Sequence, residues 1–398
     1  MSDSIMDEAL ALGERLTDIR RAIHRQPELG FQEFETSALV AEMLTDLGIR
    51  VDTGVGGTGV VGYLGEGPPI IALRADMDAL PIHEENDVSY ASQVPGVMHA
   101  CGHDAHVACL LGAAMLLHIA NLPGQVRLLF QPCEEGKGPD GVSGAQELVE
   151  AGVMNGVDAV VGLHVFTDAP VGSIEVSGGP LMAAVDDFDL AIVGQSAHGA
   201  DPYKGVDAIV IAAQVLSAIQ TIVARRIPAM EAGVITIGTI RGGSRRNVLA
   251  ERVAMEGTIR SFAPKVREAL LAELKRACEL ALPLGGDYEL DVVPHVPPLI
   301  NDSNLTDLVR QIGKALLGDK RVRPAQPEMG GEDFAFYLQH APGVYFRLGV
   351  ATSGQPLRRA HSPTFDLDER ALPIGAAMLA ETARRWLASS SVQEAQKA

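Results

Sequence analysis

The chain has 398 residues, 47% of them apolar, which is long enough for two or three domains and rich enough to bury a sizeable core, so disorder is excluded. Lys and Arg number 32 against 51 Asp and Glu, and the resulting charge of −19 would repel a nucleic-acid backbone. No stretch approaches the ~18 uninterrupted apolar residues of a spanning helix, the opening M-S-D-S-I-M-D-E-A-L is acidic where a secretory leader is basic and then apolar, and Cys101, Cys109, Cys133 and Cys278 make no C-x-x-C pair; the expectation is a soluble, cytoplasmic protein with reduced thiols and no membrane partner.

Apolar residues recur at three- and four-residue spacing from Met6 to Ile23, which predicts an amphipathic helix, and a second helix is predicted over Thr36–Leu47, stopped by Gly48. The period then shortens. Val60–Leu64 and Ile70–Arg74 are short apolar runs bounded by Gly and Pro, as strands buried on both faces are. The glycine-rich run Gly54–Gly59 has no Gly-Lys-Ser/Thr after it and leads into a strand, so it reads as a turn and not a phosphate loop. A buried helix over Val107–Ile119, a strand at Val126–Phe130, a helix over Ser143–Glu150 and a strand at Ala159–Leu163 complete an alternation that predicts an α/β layer.

Past Gly178-Gly179-Pro180 the order becomes strand (Val185–Val193), helix (Val206–Val223), strand (Val234–Ile240), strand (Val253–Arg260), helix (Pro264–Leu282) and strand (Tyr288–Val293). That β-α-β-β-α-β order is the split, ferredoxin-like unit, and it closes on itself as a domain. Pro294–Pro298 reads as the exit linker. A helix at Leu305–Leu317, a short one near Phe334–Leu338, a strand at Val344–Val350 and a helix at Glu369–Leu387 then resume the first pattern, with the tail Ser389–Ala398 expected to fray. The predicted organisation is one α/β domain, residues 1–180 and 298–398, interrupted by an inserted α+β domain, residues 181–297.

In open α/β sheets, sites form beyond the carboxyl ends of the strands. Ile70–Arg74 runs into Asp76 and Asp78; Val126–Phe130 runs into Q-P-C-E-E-G with Glu134 and Glu135; Ala159–Leu163 ends at His164. The loop M-H-A-C-G-H-D-A-H, with Cys101 and His103, leads into the buried helix, and A-H-S-P at His361 follows the last strand. Thiolate, imidazole and carboxylate converging on one crevice suit zinc or a neighbouring transition ion, and the carboxylates also suit manganese. Adjacent Glu134 and Glu135 can divide two roles of metal-assisted hydrolysis, one on the ion and one free to take a proton. A lone histidine is ordinarily a hydrogen-bonded core or surface group, and His24, His83, His118, His295 and His340 keep that reading, whereas His99 and His106 flank the cysteine loop and are placed to support ligands. Cys109 and Cys278 lie on helices with apolar neighbours and read as small buried thiols.

At M-H-A-C-G-H-D-A-H, Q-P-C-E-E-G, G-L-H-V and A-H-S-P the chain resembles the metallopeptidase-like amidohydrolases, which include hippurate hydrolase, indole-acetyl-amino-acid hydrolase and bacterial N-acyl-amino-acid deacylases, with aminoacylase and glutamate carboxypeptidase as more distant relatives. The likeness runs from H-R-Q-P-E-L-G-F-Q-E at His24 to the final helix. It implies a metallopeptidase-type domain, a mixed sheet between helices, interrupted by a lid and dimerisation domain. It also implies two divalent ions per subunit (zinc, manganese, cobalt or nickel) held by Cys101, His103, Glu135, His164 and His361. Glu134 matches the general base. Asp78 matches an aspartate that orients a ligand, although the histidine that distant relatives carry two residues earlier is Asp76 here. In the inserted domain, His198 matches a histidine that stabilises the oxyanion, and Asn247 and Arg260 match groups that hold the substrate carboxylate. Cys133 stands where relatives mostly have alanine. The implied activity is metal-dependent hydrolysis of the amide of N-acyl amino acids by a homodimer or higher homo-oligomer, with His198 acting in its own chain or its neighbour's. Two alternatives are a metal-free thiol amidase with Cys101 as nucleophile and His103 as base, and a non-catalytic metal-binding or sensor protein on the same fold.

Overall fold

The computed structural model describes residues 2–138 and 140–395. The chain divides into two units, the first Met1–Gly179, Ile300–Gln326 and Asp333–Ala398, the second Pro180–Leu299 and Pro327–Glu332.

In the first unit the stripe predicted over Met6–Ile23 forms two helices, α1 (Ser2–Ala11) and α2 (Gly13–Arg25). The break falls where the Leu12 N–H bonds Ala9 O at 3.0 Å, a tightened turn just ahead of Gly13. Helix α3 (Phe34–Asp46) is followed by β1 (Arg50–Val55) and β2 (Gly59–Leu64), and the glycine-rich run is the turn of this hairpin. Sequence reading misses β1 because it is an edge strand, mostly exposed, with no apolar run to mark it. Strand β3 (Ile70–Asp76), helix α4 (His103–Leu117), strand β4 (Gln125–Gln131), helix α5 (Gly144–Glu150) and strand β5 (Ala159–Pro170) come next. Helix α5 starts as predicted, with Ser143 and Gln146 forming a reciprocal capping box.

The chain then adds β6 (Ile174–Glu175) and β7 (Gly179–Met182) and enters the second unit, where β8 (Ala184–Val193), α6 (Ala208–Arg226), β9 (Gly233–Gly242), β10 (Arg252–Ser261), α7 (Pro264–Cys278) and β11 (Asp287–Val296) follow the predicted β-α-β-β-α-β order. Its antiparallel sheet runs β11-β8-β10-β9. Phe188, Leu190 and Ile192 of β8 and Met255 and Ile259 of β10 form a core with Ile211 and Val215 of α6 and Leu270 and Leu274 of α7. Arg267 of α7 clamps Asp186 of β8 with bonds of 2.7 and 2.5 Å. Helix α6 is long and apolar enough by composition to cross a membrane, but Ala208, Ile211, Val215, Ile219 and Ile222 line its buried face, as in a core helix. The expected linker Pro294–Pro298 is shorter than predicted, because β11 keeps pairing with β8 as far as Val296.

Back in the first unit, β12 (Leu299–Asn301), α8 (Ser303–Leu317), β13 (Val322–Arg323), β14 (Gly343–Ala351) and α9 (Leu372–Ala395) complete the chain, and α9 continues through most of the tail expected to fray. Residues 396–398 lie outside the described residues. The sheet order is β1-β2-β4-β3-β5-β14-β6-β13, with β4, β3, β5 and β14 mutually parallel, β1 antiparallel to β2, β2 antiparallel to β4, and β6 antiparallel to β14 but parallel to β13. Four parallel strands therefore open their carboxyl ends on one edge. Every residue of α4 is buried, which is why its sequence is apolar all round.

Candidate metal centre

On that edge β3 delivers Asp76 and leads to Asp78, β4 leads to Glu134 and Glu135, and β5 carries His164. Helix α4 starts at His103, four residues earlier than the periodicity predicts, because Gly102 takes the cap position with φ +92°. A side chain there could not fit, since a Cβ would lie 2.4 Å from Val165 Cγ2. The loop carrying His361 is tied to the cysteine loop by the His361 N–H, which donates to Ala100 O at 2.8 Å. His361 and Cys133 both hold positive φ, +60° and +42°, a strained backbone state for residues with side chains.

The side chains meet as three overlapping groups whose donor atoms lie within 4.8 Å of one another: Cys101, His103 and His164; Cys101, Glu135 and His361; His103, Glu134 and Glu135. Cys101 Sγ is 3.3 Å from His164 Nε2, and His361 Nε2 is 3.0 Å from Glu135 Oε1. His103 Nδ1 lies 2.9 Å from Asp78 O and 3.1 Å from its Oδ1, so a proton sits on Nδ1 and Nε2 is turned to the other side chains of the site. Asp78 Oδ2 in turn accepts from the Glu135 N–H at 3.0 Å. One aspartate thus orients two of the predicted ligands.

His103 Nε2 is buried with no hydrogen-bond partner among the described residues; Asp76 Oδ2 lies 3.7 Å from it, and Glu134 Oε2 and Glu135 Oε1 each face it at 4.0 Å. That gap is too wide for a hydrogen bond and within the span of two metal–ligand bonds of ~2.0–2.2 Å. Burial pushes the Cys101 thiol well above its ordinary range, and although His103 opposes this, Glu135 and Glu134 add to it. The thiolate therefore needs further positive charge beside it. This environment is the reverse of the electropositive one that activates a thiol nucleophile, which counts against the metal-free amidase. Burial would raise the Glu135 carboxyl, but His361 and His103 hold it below its usual value, while burial keeps His164 neutral, its pKa lowered to about 4. Ionised carboxylate and neutral imidazole are the forms that bind metal. The residues present fit a divalent ion.

Asp76 forms a further group of this kind with His103 and His106, but both its oxygens already have close partners. Its Oδ2 pairs with Arg74 Nη1 and its Oδ1 is 2.5 Å from His106 Nδ1. Arg74, which the strand reading treats only as the last residue of an apolar run, also bonds Gln131 Oε1 at 2.8 Å and Asp333 Oδ1 at 2.9 Å. A charged residue inside such a run was the one signal available. Behind the site, Arg20 Nε and His24 Nδ1 each lie 2.7 Å from Asp104 Oδ2 in α4, so His24 is the hydrogen-bonded core group expected of it. Cys133 is buried against Gly30, and its N–H donates to Glu33 Oε1 at 2.9 Å.

The second unit brings His198 and Asn247 into neighbouring exposed loops, where the Gly199 N–H donates to Asn247 O at 2.8 Å and His198 bridges Val248. Arg260 projects from β10 and its Nη1 donates to Met329 O at 2.8 Å.

Residues 72–385 match the profile of "Peptidase family M20/M25/M40". The chain is 43% identical over 387 residues to an N-acetyl-L-cysteine deacetylase of Bacillus subtilis, covering 95% of this chain and 90% of that protein. It is 39% identical over 385 residues to IAA-amino acid hydrolase ILR1-like 5 of Arabidopsis thaliana, covering 94% of this chain and 87% of that protein. Among solved structures, the YXEP protein of Bacillus subtilis, described as a dinuclear metal binding peptidase from the M20 family, superposes with a TM-score of 0.82 at 37% identity, covering 95% of this chain and 99% of that one.

Proposed function

The chain belongs to peptidase family M20/M25/M40, and from that premise we propose that it hydrolyses the amide bond of N-acyl amino acids, releasing a carboxylic acid and a free amino acid. The observation that carries this reading is the buried His103 Nε2, without a hydrogen-bond partner among the described residues, facing Asp76 and the adjacent carboxylates Glu134 and Glu135. Cys101, His103, Glu135, His164 and His361 would hold two divalent ions. Those ions, when bound, supply Lewis acidity that makes a water more acidic and polarises the amide carbonyl.

The remaining work falls to the chain's own side chains. Glu134, through Oε2, takes the proton of the attacking water and returns it to the leaving amine nitrogen. Asp78 keeps the His103 proton on Nδ1 and fixes the Glu135 backbone. His198 donates to the carbonyl oxygen as it gains charge. Asn247 and Arg260 hold the substrate carboxylate, Arg260 with charge-assisted bonds. The second unit acts as lid and dimerisation domain. Support for the latter comes from β9, an edge strand with Ile240 exposed, and from Ile209 and Val210 exposed on α6. We read the enzyme as cytoplasmic, which its four unpaired cysteines support.

The test is a panel of benzoyl, acetyl, long-acyl and indole-acetyl amino acids assayed with protein stripped by chelator and reloaded with zinc, manganese, cobalt or nickel. Hydrolysis should vanish on stripping and return with metal. Full activity in the stripped protein would overturn the reading.

A further inference from the structure

Strand β3 pairs with β5 only as far as Arg74↔Gly162, and its last residues, Ala75 and Asp76, pair with β4 alone. The two strands therefore part just where the site begins. In the parting sits the ring of His106, from the first turn of α4, and it is almost wholly buried. Its Nδ1 meets Asp76 Oδ1 at 2.5 Å, and its Nε2 accepts from the Val165 N–H of β5 at 2.9 Å. The tautomer is fixed from both sides: the proton is on Nδ1, and the Nε2 lone pair serves a backbone amide. Burial keeps this imidazole neutral. The ring also packs edge-on against His164, centroids 4.6 Å apart, and lies tilted beside His103 at 5.3 Å.

We infer that Asp76 and His106 are positioning residues: together they replace the missing main-chain ladder between β3 and β5 and hold the two strand ends one imidazole width apart. This inference rests on the reading of His103, Glu135 and His164 as ligands. What depends on the spacing is clear from the chain. Strand β3 leads to Asp78, which orients His103 and Glu135, while β5 carries His164, whose own Nδ1 is turned away to Val165 O at 2.6 Å. The clamp ends on the same residue, Val165, that fixes the His164 ring. Asp76 Oδ2 is held by Arg74 and lies 3.7 Å from His103 Nε2, while its Oδ1 carries the His106 contact through which we read it as acting.

The experiment is a Co²⁺ titration of metal-stripped wild type, His106→Ala, His106→Gln and Asp76→Asn, read by visible absorption, with thermal unfolding of each stripped protein alongside. Wild type should take up two equivalents. His106→Ala should bind at least one of them 10- to 100-fold more weakly, the cost usual for losing a group that supports a ligand. His106→Gln should recover part of the loss, since its Oε1 can accept from Val165 N–H. Asp76→Asn, which keeps its shape, should weaken binding in the same direction and decides the matter if His106→Ala does not fold. Folded variants that take up both equivalents with wild-type affinity would overturn the inference. A wild type that takes up no Co²⁺ would refute the metal-site reading instead.

Discussion

At the scale of single residues, neighbours in sequence do different work. Glu135 is tied through its N–H to Asp78 and through Oε1 to His361, whereas Glu134 faces His103 Nε2 from the other carboxylate position. Glu134→Gln should therefore keep its metal, measured by elemental analysis, and lose several orders of magnitude in kcat, while Glu135→Gln should lose metal as well. Equal metal loss in both would remove the division of roles. Glu33 offers a test on pH. Burial pushes its carboxyl from 4.5 to about 7, against hydrogen bonds from Thr58 and the Cys133 N–H, with Asp78 adding to the rise. Between those pH values the folded chain binds more protons at Glu33 than the unfolded chain. The group's contribution to stability is thus fully present below the lower value and is lost as pH rises to about 7, by on the order of 3 kcal/mol. Glu33→Gln, which removes the ionisation, should raise Tm relative to wild type at pH ~8 and do so much less at pH ~5. A difference that does not change with pH would contradict this.

At the scale of elements, α4 is the part that joins stability to the site. Its first residue is His103, its second is Asp104, and its fourth is His106. Arg20 and Asp104 are both fully buried and 2.7 Å apart, so α2 fixes the first turn of α4 through a charge pair. Arg20→Ala would leave the buried Asp104 with His24 as its remaining charge partner, and denaturant unfolding should show a loss of about 3 kcal/mol. The cap is equally exacting. Gly102→Ala would place a Cβ 2.4 Å from Val165 Cγ2 at φ +92°, so we expect about 1–3 kcal/mol lost and reduced metal content, because Cys101 and His103 flank that position. Wild-type stability and metal content in that variant would show that the loop can relax without cost.

At the scale of the whole molecule, the proposed reaction draws on residues of both units. Whether His198 serves its own chain or its neighbour's can be read from mixed dimers. Separate His198→Ala and Glu134→Ala proteins should each be nearly inactive; unfolded and refolded together, they should regain a fraction of wild-type activity if the site is shared between chains. Mixed dimers confirmed by mass, with no activity, would leave each His198 acting on its own chain.

The sequence by itself determined the order of strands and helices, the inserted β-α-β-β-α-β unit, and the ligand-type side chains at successive strand ends. These are local properties, because burial on one or two faces imposes the period and the chain must turn where Gly and Pro allow. It did not reveal β1, whose exposed edge position leaves no apolar run, nor the break at Leu12, where the apolar stripe continues across two helices. Only the tertiary structure decided what Asp76, His106 and Arg74 do. Asp76 and His106 are 30 residues apart, and Arg74 reaches Asp333 across 259. Nothing in periodicity records such pairings, since they exist only once parallel strands part at their carboxyl ends and buried polar groups must find partners within reach.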